Sequence, residues 1–212
     1  SLRPLTFALP NQAGRNCKNF STPIGRRGLA ATGGSEARRG APRAPRAMAV
    51  RTYPGDAVNA AGAGEMALLR RAALEAGAGD HYPAEVLQGL VASITAAYYA
   101  KLPPTFRVIC YLDCQHSDDS EVLTGFAVVG TRTRRLVALF VRPGHWRRGV
   151  GSALLAAARP WADEVESTLN AAPFFEARGM SAVEEFTYDA SDVKLRCVRL
   201  RWPASAAAPP AP

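Results

Sequence analysis

Residues 139–155 read LFVRPGHWRRGVGSALL: an apolar run, a proline, three basic residues (Arg142, Arg147, Arg148), two closely spaced glycines, and a second apolar run. RRLVALFV (134–141) has the character of a strand. GVGSALLAAAR (149–159) has that of a helix ending near Arg159, because Pro160 lacks an amide hydrogen and clashes with the preceding turn. So much positive charge and so little side chain at one strand-to-helix junction suits a phosphate. The first amides of a helix have no internal partners and point outward, and the helix dipole adds partial positive charge there. Gly149 and Gly151 lack Cβ atoms, so the main chain can come close to an anion.

Two familiar phosphate loops fail here. Gly144 and Gly149 have the glycine spacing of GxxxxGK[ST], but Val150 and Gly151 follow, without the lysine and the magnesium-binding hydroxyl. Gly149-Val150-Gly151 also begins a GxGxxG, but its sixth position is Leu154, and no acid follows at the end of a second parallel strand as a dinucleotide fold requires; Glu166 is not in that context.

The formal charge of +8 is unevenly placed: residues 1–47 hold nine basic residues and one acid, Glu36, and the remainder holds 17 of each sign. The basicity belongs to the tail, so the neutral domain argues against nucleic acid as its partner. The tail is rich in Arg, Gly, Ala, Ser and Pro and buries too little to order itself. Residues 1–47 are expected to be a disordered basic tail, 48–203 the folded domain, and 204–212 a second disordered tail. The first tail has two readings. As an Arg-rich transit peptide it would send the protein to an organelle, plastid or mitochondrion. As a read-through extension, with Met48 the start, it leaves the protein cytoplasmic. No apolar run reaches membrane-spanning length. Cys17, Cys110, Cys114 and Cys197 form no CxxC pair and have no His at metal-ligand spacing, so no metal is expected. Cys110 and Cys114 read as buried thiols on one strand face.

Along the domain, AVRTY alternates as a first strand, and Asp56 is the expected N-cap of a helix running to about Ala76. HYPAEVLQGLVASITAAYYAKL has helical spacing throughout and is expected as one helix. FRVICYLDC, EVLTGFAVVG, RRLVALFV, VESTLN, SAVEEFTYDA and VKLRCVRLRW read as strands, with a short helix at APFFEARG and turns at QHSDDS and near Ser191. Hairpin neighbours plus one crossover helix imply a mixed α/β sheet with helices on its faces.

Val141-x-Pro143, a short turn, Trp146-Arg147-Arg148-Gly149-Val150-Gly151 and Leu154-Leu155 resemble the acyl-CoA loop of the GNAT superfamily of N-acyltransferases, whose [Q/R]-x-x-G-x-[G/A] signature opens a helix after a strand. LNAAPFFEARGM (169–180) is similar to a later motif of that family, and HYPAEVL to the start of its second helix. The element order from about Ala49 to Trp202 matches; SLRPL through Arg46 has no counterpart. The resemblance implies a GNAT-like mixed, mostly antiparallel central sheet flanked by helices. It implies an N-acetyltransferase using acetyl-CoA as co-substrate to acetylate an amine of a small-molecule or peptide acceptor. It places the coenzyme on Trp146, Arg147, Arg148, Gly149, Val150, Gly151 and Ser152, with the strand edge Leu139, Phe140 and Val141 on one side. Asn170, Phe174 and Phe175 stand on the other. If the strands splay there, free main-chain groups of residues 139–141 can bond the amide-rich pantetheine arm, and one amide can meet the developing oxyanion.

The chain departs from the family pattern at three points. Trp146 replaces Gln or Arg and offers an apolar wall or an indole donor. Phe175 stands where members often place a proton-donating tyrosine. Arg135 and Leu136 occupy the position of a basic glutamate. The catalytic base therefore falls to His81 or Tyr82, in the turn between the first helices, which borders the acceptor site in this fold. Tyr188, Glu184, Glu185 or a water chain are alternatives, and His145 reads as a phosphate-side or surface residue. Two other functions stay open: an acyl-CoA-binding module whose catalysis has lapsed, and a nucleic-acid or ribosome-associated protein acting through the basic tail.

Overall fold

The computed structural model describes residues 48–114, 121–190 and 193–203; the expectations for both tails, for QHSDDS, for the turn near Ser191 and for the Cys114 side chain lie outside the described residues. The chain begins with β1 (Met48–Pro54), a 3-10 turn (Gly55–Ala57) and α1 (Ala60–Gly77). The N-cap of α1 is Asn59, not Asp56: the Asn59 side chain accepts from the Gly62 amide at 2.8 Å. The helix starts late because Gly55 is pinned where a Cβ would lie 2.3 Å from the Pro103 carbonyl, and Asp56 is held in the 3-10 turn that follows.

The single helix expected after Pro83 is broken into α2 (Ala84–Ser93) and α3 (Ala96–Ala100). Ile94 and Thr95, two β-branched residues, take extended backbone angles at the break. Local bonds compensate for the lost turn: Ser93 Oγ donates to the Leu90 carbonyl at 2.7 Å, and Arg71 from α1 donates to the Ile94 carbonyl.

The rest runs β2 (Phe106–Cys114), β3 (Glu121–Gly130), β4 (Arg135–Val141), a 3-10 turn (Pro143–His145), α4 (Val150–Ala158), β5 (Glu164–Thr168), α5 (Ala172–Glu176), β6 (Ser181–Ala190) and β7 (Val193–Arg201). One seven-stranded sheet has the order β1-β2-β3-β4-β5-β7-β6. Every neighbouring pair is antiparallel except β4–β5. This is the expected mixed, mostly antiparallel sheet. Successive side chains alternate across it. Val108, Cys110, Phe126 and Val128 face α1–α3, together with Met66, Leu69 and Tyr99. Ile109, Ala127, Val129 and Leu136 face α4 and α5, with Leu154 and Leu200. Burial on both faces explains why β3 reads as a nearly unbroken apolar run.

The parallel seam is short. β4 and β5 pair only at Arg135 with Glu164 and at Leu136 with Val165, and then they part. Val137 is the extra residue of a bulge in β4, opposite Val128 and Val129, which bends the strand where the parting begins. Arg135 holds the closed end, reaching Glu164 at 2.7 Å and Glu166 at 3.0 Å. Arg201 and Arg199 of β7 bond the same two carboxylates.

Candidate active site

Beyond Leu136 and Val165 the parted strands open into a cavity of about 800 Å³ that reaches both faces of the sheet. On the α4 face it meets the start of that helix. Gly149 is the N-cap, at φ +81°, and no side chain caps the helix there. A Cβ at Gly149 would meet nothing within 4 Å, so the requirement at this position is the left-handed backbone and open space in front of it. Arg147 lines the cavity and is also left-handed, at φ +61°, a conformation costing a non-glycine residue about 1 kcal/mol. Gly125 of β3 lets the helix lie close: a Cβ there would come 2.9 Å from Val150 Cγ1, 3.0 Å from Leu154 Cδ1 and 3.1 Å from the Phe140 carbonyl oxygen.

The flanking walls are tied down by named bonds. Trp146 proves to be both wall and donor. Its Nε1 donates to the Val141 carbonyl at 2.7 Å, and its ring packs on Gly77 at the end of α1. Of the main-chain groups expected to face the coenzyme, the Val141 carbonyl is thus already taken. The Arg142 amide returns to the Thr124 carbonyl at 2.8 Å, so by strand alternation Phe140 bonds toward β3 and Leu139 turns its main chain to the cleft. Opposite, Asn170 Nδ2 donates to the Gly77 carbonyl at 3.1 Å, which leaves its buried Oδ1 with no hydrogen-bond partner. Arg178 was not singled out from the sequence. Its Nε and Nη2 donate to Ser152 Oγ at 3.0 and 2.7 Å, and its Nη1 to the Phe174 carbonyl at 2.9 Å. Its guanidinium carbon lies 3.9 Å from the Phe174 ring centroid. The signal available was its spacing, four residues after Phe174 on a helical turn.

On the α1–α3 face the cavity is lined by Arg70, Tyr98, Phe140, Glu166, Phe186, Tyr188 and Cys197. Burial raises the pKa values of Tyr98 and Tyr188 above the ordinary phenol value, so both stay protonated. Burial, assisted by Glu166, pushes the Cys197 thiol up to about 11. Glu166 Oε1 is held at 3.0 Å by both Arg135 and Arg199.

The expected site residues divide. Leu139, Phe140, Val141, Trp146, Arg147, Gly149, Val150, Gly151, Ser152, Asn170, Phe174 and Phe175 all line the cavity, whereas Arg148 does not. Phe175 is largely core: it is 4 % exposed and stands edge-on to Phe174. His81 and Tyr82 do not line the cavity either. His81 is exposed in its turn. Tyr82 is buried, and its hydroxyl donates to the Arg196 carbonyl at 2.6 Å and accepts from the Leu169 amide at 2.8 Å. Those two groups would form the next rung of the β5–β7 ladder after Thr168 and Cys197; the phenol replaces that rung. Of the alternative bases, Tyr188 lines the cavity, while Glu184 and Glu185 are paired with Arg199 and Arg196 outside it. His145 lines the cavity, with Nε2 3.8 Å from Asp113 Oδ2.

A mostly antiparallel sheet, split along one parallel seam in front of an uncapped helix that opens on G-x-G, is the arrangement expected from the sequence motifs. Residues 86–180 match the model of the acetyltransferase (GNAT) family. Among solved structures it resembles a GCN5-related N-acetyltransferase from Rhodopseudomonas palustris, at 23 % identity over 73 % of this chain and 94 % of the other, with a TM-score of 0.61. It also resembles the apo form of YjaB from Escherichia coli, at 17 % identity over 74 % and 97 % of the two chains, with a TM-score of 0.56. At these identities the likeness is one of fold. No curated protein sequence matches the chain. No helix among the described residues is long and apolar enough to cross a membrane.

Proposed function

We propose that this protein is an N-acetyltransferase that moves the acetyl group of acetyl-CoA to an amine acceptor. The observation that carries the reading is the parting of β4 and β5 in front of the uncapped α4 terminus, with open space over Gly149. The residues present fit coenzyme A. The first amides of α4, with Arg147 and Arg178 beside them, suit a pyrophosphate. The Leu139 main chain and the unpartnered Asn170 Oδ1 suit the amides of a pantetheine arm.

When bound, acetyl-CoA supplies an acyl group activated as a thioester. The amine acceptor enters from the side of Tyr98 and Tyr188. The seam holds the two reactants within one cavity, so that the C–N bond forms as the C–S bond breaks. Glu166 is engaged by two arginines, and neither His81 nor Tyr82 reaches the cavity, so none of the three is assigned as base. Tyr188, kept protonated by burial, donates its phenolic proton to the departing sulfur. The proton lost by the amine leaves through water and restores the phenol. Phe175 cannot serve in that role, which is why the donor is sought on the opposite wall.

The test is calorimetric titration of acetyl-CoA into the wild-type protein and into Gly149→Glu, followed by thiol-release assays with a panel of amines. The acidic side chain, with a strained φ, set against the phosphates should lower affinity by about tenfold or more. Wild-type protein that ignores the coenzyme would overturn the reading. Coenzyme binding without turnover on any amine would favour the lapsed module.

A further inference from the structure

The α1–α3 side of the cavity holds a cation in an unusual position. Arg70 lies on the cavity-facing stripe of α1, with Ala73, Leu74 and Gly77 at helical spacing. Its guanidinium carbon is 5.2 Å from the Phe140 ring centroid. Its one hydrogen bond among the described residues is long, from Nη1 to the Tyr99 hydroxyl at 3.4 Å, and its buried Nε has no hydrogen-bond partner there. Arg135, Arg199 and Arg201 on the same face are each bound to carboxylates, whereas Arg70 has no ion pair among the described residues. The one carboxylate lining the cavity among the described residues, Glu166, is occupied.

A part-buried guanidinium with open donors favours an anion that arrives with a ligand, because its desolvation is otherwise uncompensated. That anion is not the coenzyme's phosphates. Their site, at the α4 terminus with Arg147 and Arg178, is on the opposite face of the sheet, and Arg70 packs with the α1–α3 cluster through Phe140 and Tyr99. We infer that Arg70 binds a carboxylate of the acceptor, and that the substrate class is a small amine carrying a carboxylate, of amino-acid type, held between the rings of Tyr98, Phe140 and Tyr188. The inference rests on the acetyltransferase reading above. A planar guanidinium suits a carboxylate, and the same charge repels polyamines and other polycationic acceptors.

The experiment compares kcat/KM by thiol release for matched pairs: phenylalanine against phenethylamine, tyrosine against tyramine, and lysine against cadaverine. The carboxylate member should be preferred by about tenfold or more, the span expected of a charge-assisted hydrogen bond. Arg70→Gln should bring that ratio toward unity, and Arg70→Lys, which keeps the charge without the fork, should give an intermediate ratio. A turnover-independent readout uses the acetylated products. N-acetylphenylalanine should broaden in ligand-observed NMR with the wild-type protein and lose that broadening with Arg70→Gln, while N-acetylphenethylamine should bind more weakly. Equal rates within pairs, a preference that survives Arg70→Gln, or equal or absent binding of both products overturns the inference. Wild-type titration with acetyl-CoA separates the levels: a coenzyme that binds while the preference is missing sinks only the acceptor class, and a coenzyme that does not bind sinks the transferase itself.

Discussion

Replacing Tyr82 with phenylalanine tests the geometry of the whole open seam. The Tyr82 hydroxyl satisfies two main-chain groups at once, the Leu169 amide at 2.8 Å and the Arg196 carbonyl at 2.6 Å. Phenylalanine keeps the ring and removes both bonds. Leaving a buried polar group unsatisfied costs about 1–3 kcal/mol each, so a total near 3 kcal/mol is expected after partial relaxation. For a domain of this size that lowers the melting temperature by about 6–12 °C. Urea unfolding of the wild type, Tyr82→Phe and Tyr188→Phe measures it directly. The last is the control, since the Tyr188 hydroxyl makes no hydrogen bond among the described residues, and it should change stability by less than about 0.5 kcal/mol. A Tyr82→Phe protein as stable as the wild type would refute the bridging role. The same variant addresses the role expected from sequence. A phenol acting as general base would, on removal, cut turnover by about a hundredfold or more while sparing stability; the structure leads to the reverse.

Gly125→Ala should cost about 1–3 kcal/mol and weaken coenzyme binding in parallel, because the new methyl meets Val150, Leu154 and the Phe140 carbonyl at 2.9–3.1 Å and pushes α4 from the sheet; unchanged unfolding and titration curves would contradict the packing described. The two described thiols give a pH prediction. Burial raises Cys110 to about 12 and Cys197 to about 11, from an ordinary 9.0. The stability linked to them is fully present below pH 9 and lost as pH climbs through those raised values, because the unfolded chain ionises first. At about pH 8, iodoacetamide followed by peptide mapping should leave both unmodified until the protein unfolds, and rapid native alkylation of Cys197 would count against its burial.

Local signals carried most of the architecture. Alternation and short apolar runs marked the strands, Pro160 marked the end of α4, and the G-x-G after an apolar strand marked the uncapped helix start, since each is written in a few adjacent residues. What escaped was set by partners far away in the chain. The break at Ile94 depends on Arg71 of α1 taking the freed carbonyl, and the displaced start of α1 depends on Gly55 lying against residue 103. Tyr82 looked like a rim residue because nothing near it shows that its hydroxyl reaches residues 169 and 196. Arg70 stood out no more than its neighbour Arg71, since only the folded cavity separates an arginine bound to a carbonyl from one left facing open space. The side of the cavity proposed for the coenzyme was legible because it is built from main chain and short spacing, and the side proposed for the acceptor was not, because its wall comes from α1, α3, β4, β5, β6 and β7.

The indole that fastens the loop to the end of β4 also furnishes a native optical reporter. Of the three tryptophans, Trp146 alone borders the large cavity; Trp202 lies beneath Arg159 elsewhere. An occupant that strips solvent from the exposed edge of Trp146 shifts its emission, while the other two supply a steady background. Arrival and departure of a molecule in the cleft can therefore be followed without a dye, on the time scale of mixing.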